Sequence, residues 1–307
     1  MSIREMVQRQ TGLEFCRFTV QGLQFLKRPD GTNYIQSRVA DYSGEATLRW
    51  WINWKSLQVT YPESGCVVEG LVSYRRLDGR VWLDSNWVNT VGEEELFQGG
   101  PVFLPRTEVP EIAHPALESL IAIFNGIEDA PVRGFLGRVF TDPEISRRFV
   151  RCRASAKHHH RQSGGLLIHS VGVAERCLAC SHDLERSMRD VLVAAALLHD
   201  IGKLETVGEG PKRPLLAPWV HHEAITLEIL APHLRWLDSE WPHGGALLRH
   251  CLTWYSTKPA GFAGFVGADI LRAMDGIDVG MEMGKGSGNA RFEPFRNTQK
   301  VSTWANN

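Results

Sequence analysis

Eleven of the twelve histidines in this chain fall between His158 and His250, and that concentration is where its chemistry has to be sought. The sharpest segment is Val193-Ala194-Ala195-Ala196-Leu197-Leu198-His199-Asp200-Ile201-Gly202-Lys203, an apolar helical run that ends in a His-Asp pair with Gly202 placed to terminate it. Neighbouring side chains on a helix point about 100° apart, so both can ligate one ion only if it sits at the edge between them, near the helix end. Imidazole plus carboxylate suits Mn²⁺, Fe²⁺ or Zn²⁺, and the carboxylate also admits Mg²⁺. Upstream, His158-His159-His160 and then Gly164-Gly165-Leu166-Leu167-Ile168-His169 put another imidazole on a helix that starts after the glycine pair. Downstream, His221-His222-Glu223 opens a helix, His250 is embedded in Ala246–Leu252, and Asp275 lies in Ile270–Asp275. One histidine in an apolar helix is more often a hydrogen-bonded core residue than a ligand. His169, His199, Asp200, His222, His250 and Asp275 on successive helices are another matter, because a helical bundle assembles a core metal site in this way. Asp269 remains a rival to Asp275, and His221 to His222.

The elements that must position these groups change character along the chain. From Phe15 to about Val91 the sequence reads as five short strands: 15–20, 33–39, 46–51, 66–74 and 80–84. Pro29-Asp30-Gly31, Asp41–Gly44 and Leu77–Arg80 supply the turns between them. Five strands with a longer gap after the third is the pattern of a small Greek-key barrel, the OB fold, with room for a plugging helix between Ile52 and Glu63. The Pro- and Gly-rich stretch 96–115 reads as a linker, apolar spacing switches to helical from Pro115, and 284–307 reads as a flexible tail. The expected organisation is therefore an all-β OB barrel over 1–95, a linker, and an all-α bundle over 116–283.

Tyr34, Trp50, Trp51, Tyr74, Trp82 and Trp87 are interleaved with Arg38, Arg49, Arg75, Arg76 and Arg80. Aromatic platforms with cationic neighbours hold single strands at roughly 1–3 kcal/mol per stacked base. Alternation along a strand prevents Trp50 and Trp51 from both pointing inward. Tyr34, Arg49, Trp50, Trp51, Arg75 and Arg76 are the candidate nucleic-acid contacts, joined by His159 and His160 ahead of the glycine pair. The net charge of -1 gives no global attraction to polyanions, so any such surface is local.

GGLLIHS followed by ALLHDIGK resembles the HD superfamily of metal-dependent phosphohydrolases. More narrowly, an OB-like first domain, a Pro-rich link, HH-x3-GGLL-x-H and then HDIGK resembles the YhaM-type 3′–5′ exonucleases across nearly the whole chain. The resemblance implies His169, His199, Asp200, His222, His250 and Asp275 as metal ligands, Asp200 and Lys203 as catalytic residues, and Lys203 at the phosphate. It also implies a divalent ion, Mn²⁺ foremost, with one or two per chain. The chain departs from the family after His250, where Thr253-Trp254-Tyr255-Ser256-Thr257 replaces further histidines, so one tightly held ion or a second loosely held one is expected. A weaker likeness is to the HD domain of MobH-type relaxases.

The expected activity is an exonuclease on single-stranded RNA or DNA. The alternatives are a nucleotide or cyclic-nucleotide phosphohydrolase and a weakly active, relaxase-like binding factor. No stretch approaches the about 18–20 apolar residues of a membrane span, and Met1–Phe15 lacks an apolar signal core. The six cysteines, with Cys177 and Cys180 forming the one CxxC, then read as free thiols of a cytoplasmic protein, with a homo-oligomer possible in principle.

Overall fold

The computed structural model describes residues 1–51, 62–156, 160–257 and 264–286, the side chains at 255–257 and 283–286 excepted. A strand-rich region is followed by a helical domain. Helix α1 (Ile3–Arg9) precedes the strands and is closed at its start by a capping box between Ser2 and Glu5, while Ile3 and Met6 face inward. The six strands are β1 (Thr11–Lys27), β2 (Asn33–Ala40), β3 (Glu45–Trp51), β4 (Val67–Leu77), β5 (Arg80–Ser85) and β6 (Val88–Thr90). Strands β1 to β3 pair antiparallel in order, β3 meets β5 in parallel, β5 turns back to β4, and β4 pairs along its length with β1. The plugging helix expected between 52 and 63 lies, for 52–61, outside the described residues.

Period-two alternation sends Phe18, Ile35, Val39, Leu48, Trp50, Val72, Val81 and Leu83 into one apolar cluster with α1. Trp50 is only 7% exposed, and so differs from its expected place on the nucleic-acid surface. Trp51, its neighbour, takes the outer face for the same reason.

The stretch read as a linker is not a free tether. Residues Glu93–Gly99 form α2, and 3-10 turns follow at Gly100–Phe103, Arg106–Glu108 and Glu111–Ala113. Its prolines start these turns rather than extend the chain: Pro101 stands inside the first, and Pro105 and Pro110 precede the others. Leu104 and Val109, between the turns, and Ala113, at the end of the last, are buried in the helical core.

Helices α3 (His114–Gly126), α4 (Ala130–Thr141) and α5 (Pro143–Arg151) lead to the central pair α6 (Gly165–Ala179) and α7 (Arg186–Leu198). Every residue of α7 from Asp190 to Leu198 is buried, as its continuous apolar run requires. The short α8 (Lys203–Thr206), then α9 (His222–Glu240), α10 (Pro242–Thr257) and α11 (Val266–Gly286) complete the bundle. The tail expected from 284 lies, from 287 on, outside the described residues. No helix among the described residues is long and apolar enough to cross a membrane.

Candidate metal centre

Four helix segments bring their polar residues to one point. His169 stands one turn into α6, completely buried. His199 and Asp200 follow the last turn of α7, His222 opens α9, and Asp275 sits in the middle of α11. His169 Nε2 lies 3.2 Å from Asp200 Oδ2 and 3.1 Å from Asp275 Oδ1. His199 Nε2 lies 3.4 Å and 3.7 Å from the same two oxygens. His222 Nε2 is 2.9 Å from Asp200 Oδ1. An ion with ligand bonds of about 2.0–2.2 Å separates adjacent ligand atoms by roughly 2.8–3.6 Å, so these spacings are those of a coordination polyhedron.

A second observation agrees with that fit. His199 Nε2 is buried and, among the described residues, has no hydrogen-bond partner, although two carboxylates face it. Its Nδ1 lies 2.9 Å from the Ala196 carbonyl, which accepts a proton there, so that in the neutral ring it is Nε2 that carries the lone pair. A buried, unsatisfied imidazole nitrogen is costly unless something occupies the space before it. Mixed imidazole and carboxylate donors select a divalent ion of the Mn²⁺, Fe²⁺ or Zn²⁺ kind, without fixing which.

The charges of the site are strongly coupled. Burial opposes ionisation of Asp200, but the nearby Lys203 and His199 charges and the facing imidazole of His169 outweigh it and hold the carboxyl far below its ordinary range. Asp275 is likewise held down against burial by His169 and His199. Burial pushes His169 and His199 toward the neutral form, yet the facing carboxylates win and raise them to about 11 and about 9. A divalent cation would displace these protons and take over the same neutralising role.

Behind His169 lies a network that the histidine pattern did not disclose. His169 Nδ1 is 2.7 Å from Asp278 Oδ2, His160 Nε2 is 3.4 Å from the same oxygen, and Arg176 Nη1 is 2.8 Å from Oδ1. Burial would raise the pKa of Asp278, but His160, His169 and the Arg176 charge hold it well below the usual carboxylate range. An ionised carboxylate only accepts, so His169 Nδ1 carries the proton and Nε2 is turned toward Asp200 and Asp275. A metal-binding histidine commonly receives this support from a carboxylate. The signal was present in one helical turn: Asp278 follows Asp275 by three residues and therefore shares its face of α11.

The other expected site residues are placed as follows. Lys203 contacts Asp200 directly from the first turn of α8. His221 is exposed at the N-cap of α9, and Asp269 accepts from Trp254 Nε1 at 3.0 Å, so His222 and Asp275 are the members of each pair that stand in the cluster. His250 is not brought into it by any contact found: its Nε2 is buried without a hydrogen-bond partner among the described residues, and its ring lies 5.4 Å from that of Trp254. Its neighbours Cys251 and Leu252 line the adjoining cavity instead. His160 is 9% exposed and faces Asp278 rather than solvent, which differs from its expected contact with nucleic acid. His158 and His159 lie outside the described residues, as do the side chains of Tyr255 and Ser256.

The cavity beside the cluster, about 130 Å³ in volume, is lined by His199, Asp200, Lys203, His222 and Asp275 together with Leu252, Ala268, Leu271, Val279 and Arg272. A lining of both charged and apolar side chains suits a ligand with a charged end and an apolar body.

On the strand-rich region, Trp51 packs against Tyr34 with ring centroids 4.9 Å apart, and the Arg28 guanidinium lies 4.4 Å from the Trp51 ring centroid. Arg49 stacks between Trp51 and Trp82, but its Nε and Nη2 both donate to Asp84 at 2.7 Å. Arg75 and Arg76 project outward from β4 and are exposed. Arg28 was missed in the sequence because it stands outside the strand runs; the register Lys27↔Asn33 and Tyr34↔Trp51 carries it over the aromatic pair.

Residues 166–260 match the family described as the HD domain. The chain is similar to the 3'-5' exoribonuclease YhaM of Bacillus subtilis (strain 168), 26% identical over 184 residues, which cover 59% of this chain and 56% of the relative. The chain thus spans little more than half of that relative's length. His169, His199, Asp200 and His222 all lie inside the span that matches the HD domain, and the chain that carries them is similar to YhaM over the 184 residues aligned.

Proposed function

We propose that this protein is a metal-dependent phosphodiesterase that shortens single-stranded RNA or DNA from the 3′ end. The observation that carries the reading is the convergence of His169, His199, Asp200, His222 and Asp275, of which all but the fully buried His169 line one cavity together with Lys203. In this reading those residues hold a divalent ion, Mn²⁺ foremost. A bound ion supplies a water of near-neutral pKa and polarises a phosphoryl oxygen. Lys203, anchored by Asp200, lies where negative charge develops on the phosphate and stabilises it without reorganising. Asp278 holds His169 in the tautomer and orientation that ligation needs. His250 serves in this scheme only if a side-chain rotation brings its buried Nε2 toward the cluster.

The closed order of pairings, β1-β2-β3-β5-β4 and back to β1, supports an OB barrel as the polymer-binding module. Trp51 and Tyr34, with Arg28 over the Trp51 ring and Arg75 on β4, next to β5, form its stacking surface. Arg49 acts there as a brace, since its charge is matched by Asp84.

The test is hydrolysis of end-labelled RNA and DNA, single- and double-stranded, with Mn²⁺ or Mg²⁺. Stepwise release of mononucleotides from a single strand is expected. Turnover of free nucleotides with no shortening of any polymer would replace the reading with a nucleotide phosphohydrolase.

A further inference from the structure

Between α8 and α9 the chain makes an excursion over residues 207–221 whose two feet belong to the candidate metal centre. One foot follows Lys203–Thr206, and the other ends at His222. The feet are in contact: a Cβ at Gly202 would lie 1.9 Å from the His222 carbonyl oxygen, and Gly202 N–H donates to Thr226 Oγ1 at 3.1 Å. An excursion with adjoining ends is an Ω-type loop, a form that frequently carries function.

This loop is ordered by its own bonds. Arg153 donates to the carbonyls of Val207 and Gly210 at its base. Gly208 turns with φ +71°, and Pro214 folds back to within 3.1 Å of where its Cβ would stand. At the far side, Trp219 N–H and Val220 N–H donate to the Leu216 carbonyl at 2.9 and 3.0 Å. Pro211, Pro214 and Pro218 remove further freedom from the backbone. Yet this fixed loop exposes Leu215 by 85% and Trp219 by 80%. A large aromatic held rigidly in water, at no gain to the core, is placed for something that arrives from outside.

The geometry points to Trp219 as a stacking platform for a base of a nucleic-acid strand whose 3′ end lies at the metal centre, with Lys212 and Arg213 meeting the strand's phosphates. Trp219 precedes His222 by three residues, so its Cα lies within about 11 Å of the His222 Cα, which is the reach of the nucleotides next to the one being hydrolysed. Lys212 and Arg213 outnumber Glu209, the one acid of the loop, and stand exposed beside the two apolar residues. Flat aromatic surface with adjacent cations matches a polyanion with flat bases rather than an apolar protein face. This inference rests on the nuclease reading, and it adds a second contact point for polymer, beside the chemistry and separate from the strand-rich region.

Trp219→Ala and Trp219→Tyr in the full chain test it, since a side chain this exposed is dispensable for folding. Three readouts are needed: binding of a labelled single-stranded oligonucleotide to chelated protein by anisotropy, kcat/KM on that oligonucleotide with Mn²⁺, and kcat/KM on bis(p-nitrophenyl) phosphate, which has no second nucleotide. The expected result for Trp219→Ala is a loss of about five-fold to about a hundred-fold on the oligonucleotide in both binding and kcat/KM, the range that one stacked base commands. The small diester should be turned over as before, and Trp219→Tyr should recover most of the loss. Equal losses on both substrates, or oligonucleotide binding and cleavage within two-fold of the parent, would overturn it. A parent protein that hydrolyses the diester but no oligonucleotide would instead refute the nuclease reading, and the anisotropy readout would still decide the role of Trp219.

Discussion

Asp278→Asn asks whether the carboxylate behind His169 sets the metal affinity of the site. The substitution keeps the shape and removes the charge from a group that is 2.7 Å from His169 Nδ1 and 2.8 Å from Arg176 Nη1. Two consequences follow. The imidazole loses the partner that made its Nε2 more basic, and the amide nitrogen of Asn can turn to donate to Nδ1, which moves the ring proton to Nε2 and blocks ligation. Support of this kind is worth about 10- to 100-fold in metal affinity, or about 1.4–2.7 kcal/mol at 1.36 kcal/mol per tenfold. The upper half of that range is expected here, because His169 is completely buried and no water can replace the lost acceptor. Mn²⁺ titration of the chelated full chain, by calorimetry or by competition with a chelator of known affinity, reads the effect directly. Thermal unfolding of the same chelated protein confirms that the folded state is being titrated. Affinity within two-fold of the parent would refute the reasoning, and Asp278 would then be a structural anchor for Arg176 and His160.

His199→Ala and Asp200→Ala are each expected to abolish retention of the ion while leaving the strand-rich region folded, because both remove an atom from the cluster; elemental analysis with parental metal content in either variant would exclude that residue as a ligand. Gly202→Ala should cost about 1–3 kcal/mol in denaturant unfolding, since its Cβ would stand 1.9 Å from a backbone oxygen that cannot move without displacing the start of α9. A pH series on the chelated protein checks the electrostatics. His169 and His199 titrate at about 11 and about 9 in the folded chain, above the about 6.5 of the unfolded one. Their contribution is therefore complete below about pH 6.5 and is lost as pH rises through 9 toward 11. The chelated protein should thus melt at lower temperature at pH 9.5 than at pH 7, and Mn²⁺ affinity should rise over the same interval as bound protons are displaced. A melting temperature that climbs over this interval would contradict the protonated pair.

The cluster of candidate ligands was legible in the sequence, since residue type and spacing along one helix are local properties. An apolar helix that ends in His199-Asp200-Ile201-Gly202-Lys203 has to present its polar pair at the helix end, whatever packs around it. The strand-rich start was legible for the same reason: alternation and turn residues are written into short windows. Local reading failed where one residue's role depends on which distant element faces it. The prolines of 96–115 look like those of a tether until Leu104, Val109 and Ala113 find an apolar core to enter. Trp50 and Trp51 are equivalent as letters, and only the sheet decides that Trp50 is enclosed while Trp51 meets Arg28. Arg49 reads as a free cation until Asp84 arrives from a strand that pairs with β3 in parallel. The choice of Asp275 over Asp269, and the discovery of Asp278 behind His169, needed the rotation of α11 against α6, which is 109 residues away from it for the pair His169 and Asp278. Side-chain periodicity says which residues share a face, and only the packing of helices says what that face meets.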